Sequence, residues 1–228
     1  MSSYFRRVPN FDYVSRNADQ REISNYTPVK NFFRRGKLRE DIFGNLSYFT
    51  KYQIVGNDRP DNVALKVYDD EDLDWVVLLS NNILNIQSEW PLEQNMFDTF
   101  LLDKYDDYET IYNKIHHYES NEIRDTNNDL IFPKGIKFSN AESYLSTEER
   151  LRSIVTFQDT TTFVDFVTPV TNYEYEEQIN DAKRSIFLLK SEYLSIVFND
   201  MDDIMRYKKG SSQYVSGTLK KGDNIRLY

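Results

Sequence analysis

The sequence predicts an α+β fold of short elements, and three observations carry that expectation. The run Lys51-Tyr52-Gln53-Ile54-Val55 has the composition of a brief strand and is closed by the turn Gly56-Asn57-Asp58. Two apolar patterns at helical spacing follow it: Val63, Ala64, Val67 and Tyr68, then Leu73, Trp75, Val76, Leu78 and Leu79. Further strand-like and helix-like runs alternate toward the C-terminus.

Residues 1–48 scatter Tyr4, Phe5, Phe11, Tyr13, Tyr26, Phe32 and Phe33 without clear periodicity, as expected of an N-terminal arm ordered by docking. Residues 49–118 are the most regular. Pro60 suits a first helical turn that Asp58 can cap. Asp69-Asp70-Glu71-Asp72 ends that helix and starts the next, which stops at Asn81-Asn82. A return segment, Ile83–Trp90, would complete a βααβ core near 49–90. Pro91 opens a helical extension to about 118 containing Met96, Phe97, Phe100 and Leu101.

Residues 119–208 form a mixed strand and helix portion. A hairpin is expected from Ile154-Val155-Thr156-Phe157 and Phe163-Val164-Asp165-Phe166-Val167, and a strand over Ser185–Lys190. Ser191 can cap a helix carrying Leu194, Val197, Phe198, Met201, Ile204 and Met205 on one face. Residues 209–228 read as a flexible tail, so both terminal arms are extended.

Composition narrows the function. Of 228 residues, 39% are hydrophobic and 29% charged, a folded soluble class. No apolar run could cross a bilayer, no signal peptide is visible, and with no cysteine there is neither a disulfide nor a thiolate metal site. A cytoplasmic chemistry is expected. The net charge of −9 disfavours nucleic acid and anionic membrane as partners. Arg34, Arg35, Lys37 and Arg39 run straight into Glu40 and Asp41 and read as a solvated face. The 17 Tyr and 15 Phe fit either a Tyr-heavy core or surfaces that meet other proteins.

The usual signatures of chemistry are missing. His116 and His117 are adjacent and would project to different faces, a poor ligand pair. No G-x-S-x-G, G-x-x-x-x-G-K-[ST] or G-x-G-x-x-G occurs. In the two calcium-loop-like stretches starting at Asp70 and Asp125, the sixth position is Trp75 or Leu130 and the twelfth is Asn81 or Ile136. Neither supplies the glycine turn or the bidentate glutamate that such a loop needs. No catalytic, cofactor-binding or metal-binding residue is assigned, and the chain is expected not to be an enzyme.

One resemblance goes further. Tyr52 through Ala64 resembles the opening of a LysM module, with Asn57 inserted between Gly56 and Asp58. Asp58-Arg59-Pro60-Asp61-Asn62-Val63-Ala64, Val67-Tyr68-Asp69-Asp70, Trp75 through Ile83 and Trp90-Pro91-Leu92 are similar to the LysM-like baseplate wedge protein 53 family of T4-type phages. A second block, Val170–Glu177 with Lys183–Lys190 and Tyr193-Leu194, resembles that family's C-terminal portion.

The resemblance implies a late structural protein of the virion tail baseplate, assembled in the host cytoplasm. It would bind other wedge subunits and neighbouring wedges, and promote closure of six wedges around the hub. The hub and sheath-initiating subunits are further candidate partners; no nucleic acid, membrane or small-molecule substrate is implied. The alternative is a LysM-type module binding peptidoglycan or chitin. The LysM-like core would contain Tyr52, Ile54, Ala64, Tyr68, Trp75, Leu78 and Leu79.

Candidate protein contacts are Arg59, Tyr173, Tyr175 and Tyr193. Arg59 is open between an internal ion pair, with Asp61 or the 69–72 run, and a partner contact. A strand over Asn172–Glu176 would put both tyrosine rings on one face, which fits half-buried sheet surface or an interface alike.

Overall fold

The strand that pairs with residues 49–53 is supplied by residues 185–189, across a long inserted segment. The structure, a computed structural model, describes residues 3–14, 26–124, 128–154, 166–210 and 213–222. Its contacts divide the chain into a first unit, residues 1–90 with 184–228, and a second, residues 91–183. These units cut across the consecutive segments 1–48, 49–118, 119–208 and 209–228 expected from sequence.

The first unit begins with a single-turn helix α1 (Tyr4–Arg7) and the antiparallel strands β1 (Asn10–Val14) and β2 (Tyr26–Lys30). The helix α2 (Glu40–Phe43) and a 3-10 turn precede β3 (Phe49–Gln53). Gly56, at φ +60°, turns the chain into α3 (Pro60–Tyr68). Pro60 sits in the first turn, where its missing N–H has no intrahelical partner to lose. Arg59 occupies the cap position without a capping side-chain hydrogen bond, and Asp58, the expected cap, pairs with Lys66 instead.

Asp69 ends α3 in the left-handed region at φ 57°. The Asp70 carboxylate then accepts the Asp72 N–H to start the turn into α4 (Asp74–Ser80). Trp75, Val76, Val77, Leu79 and Ser80 are all buried, so α4 is covered on almost every side.

The expected return segment is not a strand. Residues Ile86–Glu89 form α5, because Asn85 accepts the Gln87 N–H and the Glu89 carboxylate accepts the N–H groups of Leu84 and Asn85. These caps occupy the donors that a ladder would need.

The second unit comprises α6 (Gln94–Tyr105), α7 (Tyr108–Asn113), β4 (Ile115–Ser120), β5 (Ile123–Arg124), β6 (Leu130–Phe132), β7 (Lys137–Phe138), α8 (Ala141–Ile154), β8 (Val167–Thr171) and α9 (Asn172–Ala182). Strands run in the order β7-β4-β8, with β5 and β6 paired separately. Phe97, Leu101 and Ile111 form one apolar cluster, and Ile123, Phe138 and Phe166 another.

Of the hairpin expected between 154 and 167, residues 155–165 lie outside the described residues; Ile154 ends a helix and Val167 begins β8. The Asn172–Glu176 strand is likewise replaced. Thr171 accepts the Glu174 N–H while the Glu174 carboxylate accepts the Thr171 N–H, a capping box that starts α9.

The chain then re-enters the first unit through β9 (Ser185–Leu189), a 3-10 turn over Ser191–Tyr193, and α10 (Leu194–Met205). That turn, without a Ser191 side-chain cap, starts α10. Val197, Met201 and Met205 are buried, and Ile204 is exposed. The strands β10 (Tyr214–Ser216) and β11 (Leu219–Lys221) follow.

The described parts of the two arms are bound to each other: β11 lies parallel to β1 in a sheet ordered β10-β11-β1-β2. Val8, Leu38 and Ile42 from the N-terminal segment join the core made by α3, α4, β9 and α10. A β-carbon added at Gly36 would run into Sδ of buried Met201, so that side chain would have to shift.

Candidate protein-docking surfaces

The residues of the expected core gather around the β3–β9 ladder. Ile54, Ala64, Trp75 and Leu79 are buried, and Tyr52, Tyr68 and Leu78 pack half-buried against them. Trp75 lies between Tyr4, at 6.0 Å, and Phe198, at 5.8 Å.

The ladder's hydrogen-bond parity follows from two bonds, Ile54 N–H to Arg184 C=O and Lys190 N–H to Tyr48 C=O. Even-numbered residues of β3 therefore face β9, and Ser185, Phe187 and Leu189 of β9 turn their backbone groups outward. That outer edge is occupied. The Asn81 amide donates to Phe187 C=O at 2.9 Å and its oxygen accepts the Phe187 N–H at 2.8 Å, in place of a neighbouring strand. The Tyr68 hydroxyl donates to Leu189 C=O at 2.8 Å, and burial pushes its pKa up.

Sequence read Asn81 only as a helix stop; nothing local marks its bond to residue 187. Asn81→Leu is expected to lower stability by about 2–3 kcal/mol, since the side chain also donates to Val77 C=O and three hydrogen bonds are lost at roughly 1 kcal/mol net each. Urea unfolding measures it, and an unchanged midpoint with faster Phe187 exchange would contradict a stabilising role.

The basic cluster is mostly engaged within the first unit. Arg34 donates to the C=O groups of Ile204, Met205 and Arg206 at 2.9–3.1 Å, closing the C-terminal end of α10 where the helix dipole favours a cation. Its guanidinium also lies 4.9 Å from the Tyr207 ring. Arg39 bonds Asp41, which holds that carboxyl below its ordinary value, and reaches Asp200. Lys37 pairs with Glu40.

Arg7 had no sequence signal. It donates to Phe198 C=O at 3.1 Å, pairs with Asp202 and stacks over Phe198, joining α1 to α10. The exposed Arg59 lies 3.3 Å from Asp61. Tyr193 is half-buried, edge-on to Tyr48 at 4.8 Å.

In the second unit Tyr173 and Tyr175 are two positions apart on a helix, so they do not share a face. Tyr173 lies between Phe97, at 6.1 Å, and Tyr112, at 4.9 Å; burial and its bond to Glu177 raise its pKa. Tyr175 stacks on His116 at 3.8 Å. A bulge between Ile115 and His117 brings the two histidines together, Nδ1 to Nδ1, at 3.0 Å.

Burial, then the charges of Lys137 and His116, depress the His117 pKa below 6.5, against an opposing pull from Glu119. The unfolded chain therefore binds the proton more readily, so this stability is present above pH 6.5 and is lost as pH falls through the folded value. The melting temperature is expected to drop between pH 7.5 and 5.5, and to drop less in His117→Gln. Equal drops would remove His117 as the cause.

Buried Glu176 accepts from Lys104 Nζ at 2.6 Å and from the Tyr105 hydroxyl at 2.9 Å. Burial and that carboxylate push the hydroxyl's pKa up to about 12. The acidity of the chain is concentrated in this unit. Residues 91–183 hold nineteen acidic and eight basic side chains, against eighteen and twenty elsewhere.

Large apolar side chains stand exposed on both units, among them Phe32, Phe33, Leu46 and Val55 on the first and Met96 and Tyr108 on the second. Among the described residues no group of three or more His, Asp or Glu could hold a metal, and no helix is long and apolar enough to cross a membrane.

No curated protein matches the chain. The profile of the family described as base plate wedge protein 53 matches residues 10–206, spanning the β3–β9 ladder, the inserted unit and α10. The chain belongs to the base plate wedge protein 53 family, structural proteins of the phage tail baseplate.

Proposed function

We propose that the chain is a non-catalytic subunit of the baseplate wedge that binds neighbouring wedge proteins and promotes closure of six wedges around the hub during tail assembly. The family match over residues 10–206 carries this reading. The surfaces support it. Stable contacts bury about 800 Å² on each partner, and exposed Phe32, Phe33, Val55, Met96 and Tyr108 supply apolar anchors on both units.

The charge division supports cationic partner surfaces for the second unit and near-neutral or acidic ones for the first. Arg59, Tyr173, Tyr175 and Tyr193 are proposed contacts; each keeps some solvent-facing surface in the chain alone. The β3-α3-α4-β9 core is proposed as a LysM-like protein-binding module, and no observation favours a sugar ligand over a protein.

Electron microscopy of tails carrying a tagged chain tests the assignment. Label is expected at the baseplate alone, and label along the tail tube or at the neck would overturn the reading.

A further inference from the structure

The β3–β9 sheet has two edges, and they are treated differently. On the β9 side, Asn81 and Tyr68 occupy outward backbone groups of Phe187 and Leu189. On the β3 side, parity turns the N–H and C=O of Phe49, Lys51 and Gln53 outward. Among the described residues the Phe49 N–H is taken by Leu46 C=O, the other five of these groups have no hydrogen-bond partner, and β3 pairs with β9 alone. The groups repeat about every 7 Å, the spacing of alternate residues in a strand. Thr50, Lys51 and Gln53 are exposed beside them. A two-stranded sheet is marginal on its own and gains from a third strand.

We propose that the outer edge of β3 accepts an extended segment of a neighbouring baseplate protein as a third strand, with an Asp or Glu of that segment beside Lys51. This rests on the baseplate reading above and names the partner of its LysM-like core. Lys51 selects the occupant. It makes no ion pair among the described residues.

A second copy pairing antiparallel about residue 51 would set two lysines opposite each other, which destabilises the pair. A lysine at an open edge is a common guard against self-pairing. An acidic partner turns the same side chain into a cross-strand attraction. Main-chain bonds then supply affinity, and Lys51 supplies choice.

Hydrogen exchange tests this on the free chain and on isolated baseplates, exchanged while assembled and then quenched for mass spectrometry with residue-level fragmentation. In the free chain, Thr50, Tyr52 and Ile54 should exchange slowly, and Lys51 and Gln53 fast. In the baseplate the second set should slow by at least about tenfold. Fast exchange of those two amides in a baseplate that contains the chain overturns the proposal and leaves the functional reading intact. A chain absent from baseplates overturns both. Protection that rises with the concentration of the free chain assigns the edge to a second copy and also overturns the proposal.

Lys51→Pro removes an outward N–H that the fold does not use, and edge strands tolerate proline there. Lys51→Glu keeps the backbone and reverses the charge, and Lys51→Thr keeps the backbone without charge. Both Lys51→Pro and Lys51→Glu should lower incorporation into baseplates by at least about tenfold, a loss of about 1.4 kcal/mol, with Lys51→Thr less affected. If Lys51→Pro melts well below wild type, Lys51→Glu decides. Wild-type incorporation of Lys51→Glu overturns the proposal.

Discussion

Trp75→Ala is expected to lower the unfolding free energy by about 3–5 kcal/mol, the usual cost of emptying a large buried aromatic site. Trp75 is 5% exposed on a helix whose neighbours Val76 and Val77 are fully buried. Its ring packs between Tyr4 and Phe198, with the Arg7 guanidinium 5.8 Å away. The truncation would therefore loosen three segments together: α1, α4 and α10. Urea unfolding followed by fluorescence and circular dichroism measures the loss. A mutant that melts within a degree or two of wild type, yet fails to bind wedge proteins, would make Trp75 an interface anchor instead.

The second large effect is expected from deleting residues 209–228. The C-terminal hairpin holds the N-terminal one through its β11–β1 pairing. It is anchored by three backbone bonds of 2.8 Å: Asn10 N–H to Thr218 C=O, Gly222 N–H to Asp12 C=O, and Tyr207 N–H to Gly217 C=O. At roughly 1 kcal/mol net each, those three bonds alone account for about 3 kcal/mol. The loss should be local. Amides of β1 and β2 should lose exchange protection, because a lone hairpin is marginal in water. The β3–β9 ladder and α10, held by their own core, should keep theirs. Ring assembly should suffer, through a misplaced N-terminal hairpin as well as lost tail contacts. Unchanged protection in β1 would contradict the shared sheet.

How much of this was legible in the sequence depended on range. α3 and α4 could be read because Pro60, the acidic run and Asn81-Asn82 punctuate apolar spacing within twenty-odd residues. Their buried residues, Ala64, Trp75 and Leu79, were legible for the same reason. β9 was legible as a strand, but its pairing with β3 was not, because no local pattern encodes a register between Phe49 and Leu189.

The same limit hid the pairing of the two arms and the roles of Arg7, Arg34 and Asn81, whose partners are distant in sequence. The α9 error was of another kind. Tyr173 and Tyr175 alternate with polar residues and mimic a strand, yet Thr171-x-x-Glu174 is a helix-start signal four residues long. The capping box outweighed the alternation.

Ring closure tests the central claim most directly. Purified wedge components are mixed with and without this chain, and closed six-membered rings are counted by electron microscopy. Closed rings are expected only when the chain is present, with the wedges otherwise remaining separate. Rings that close at the same rate without it would contradict the account.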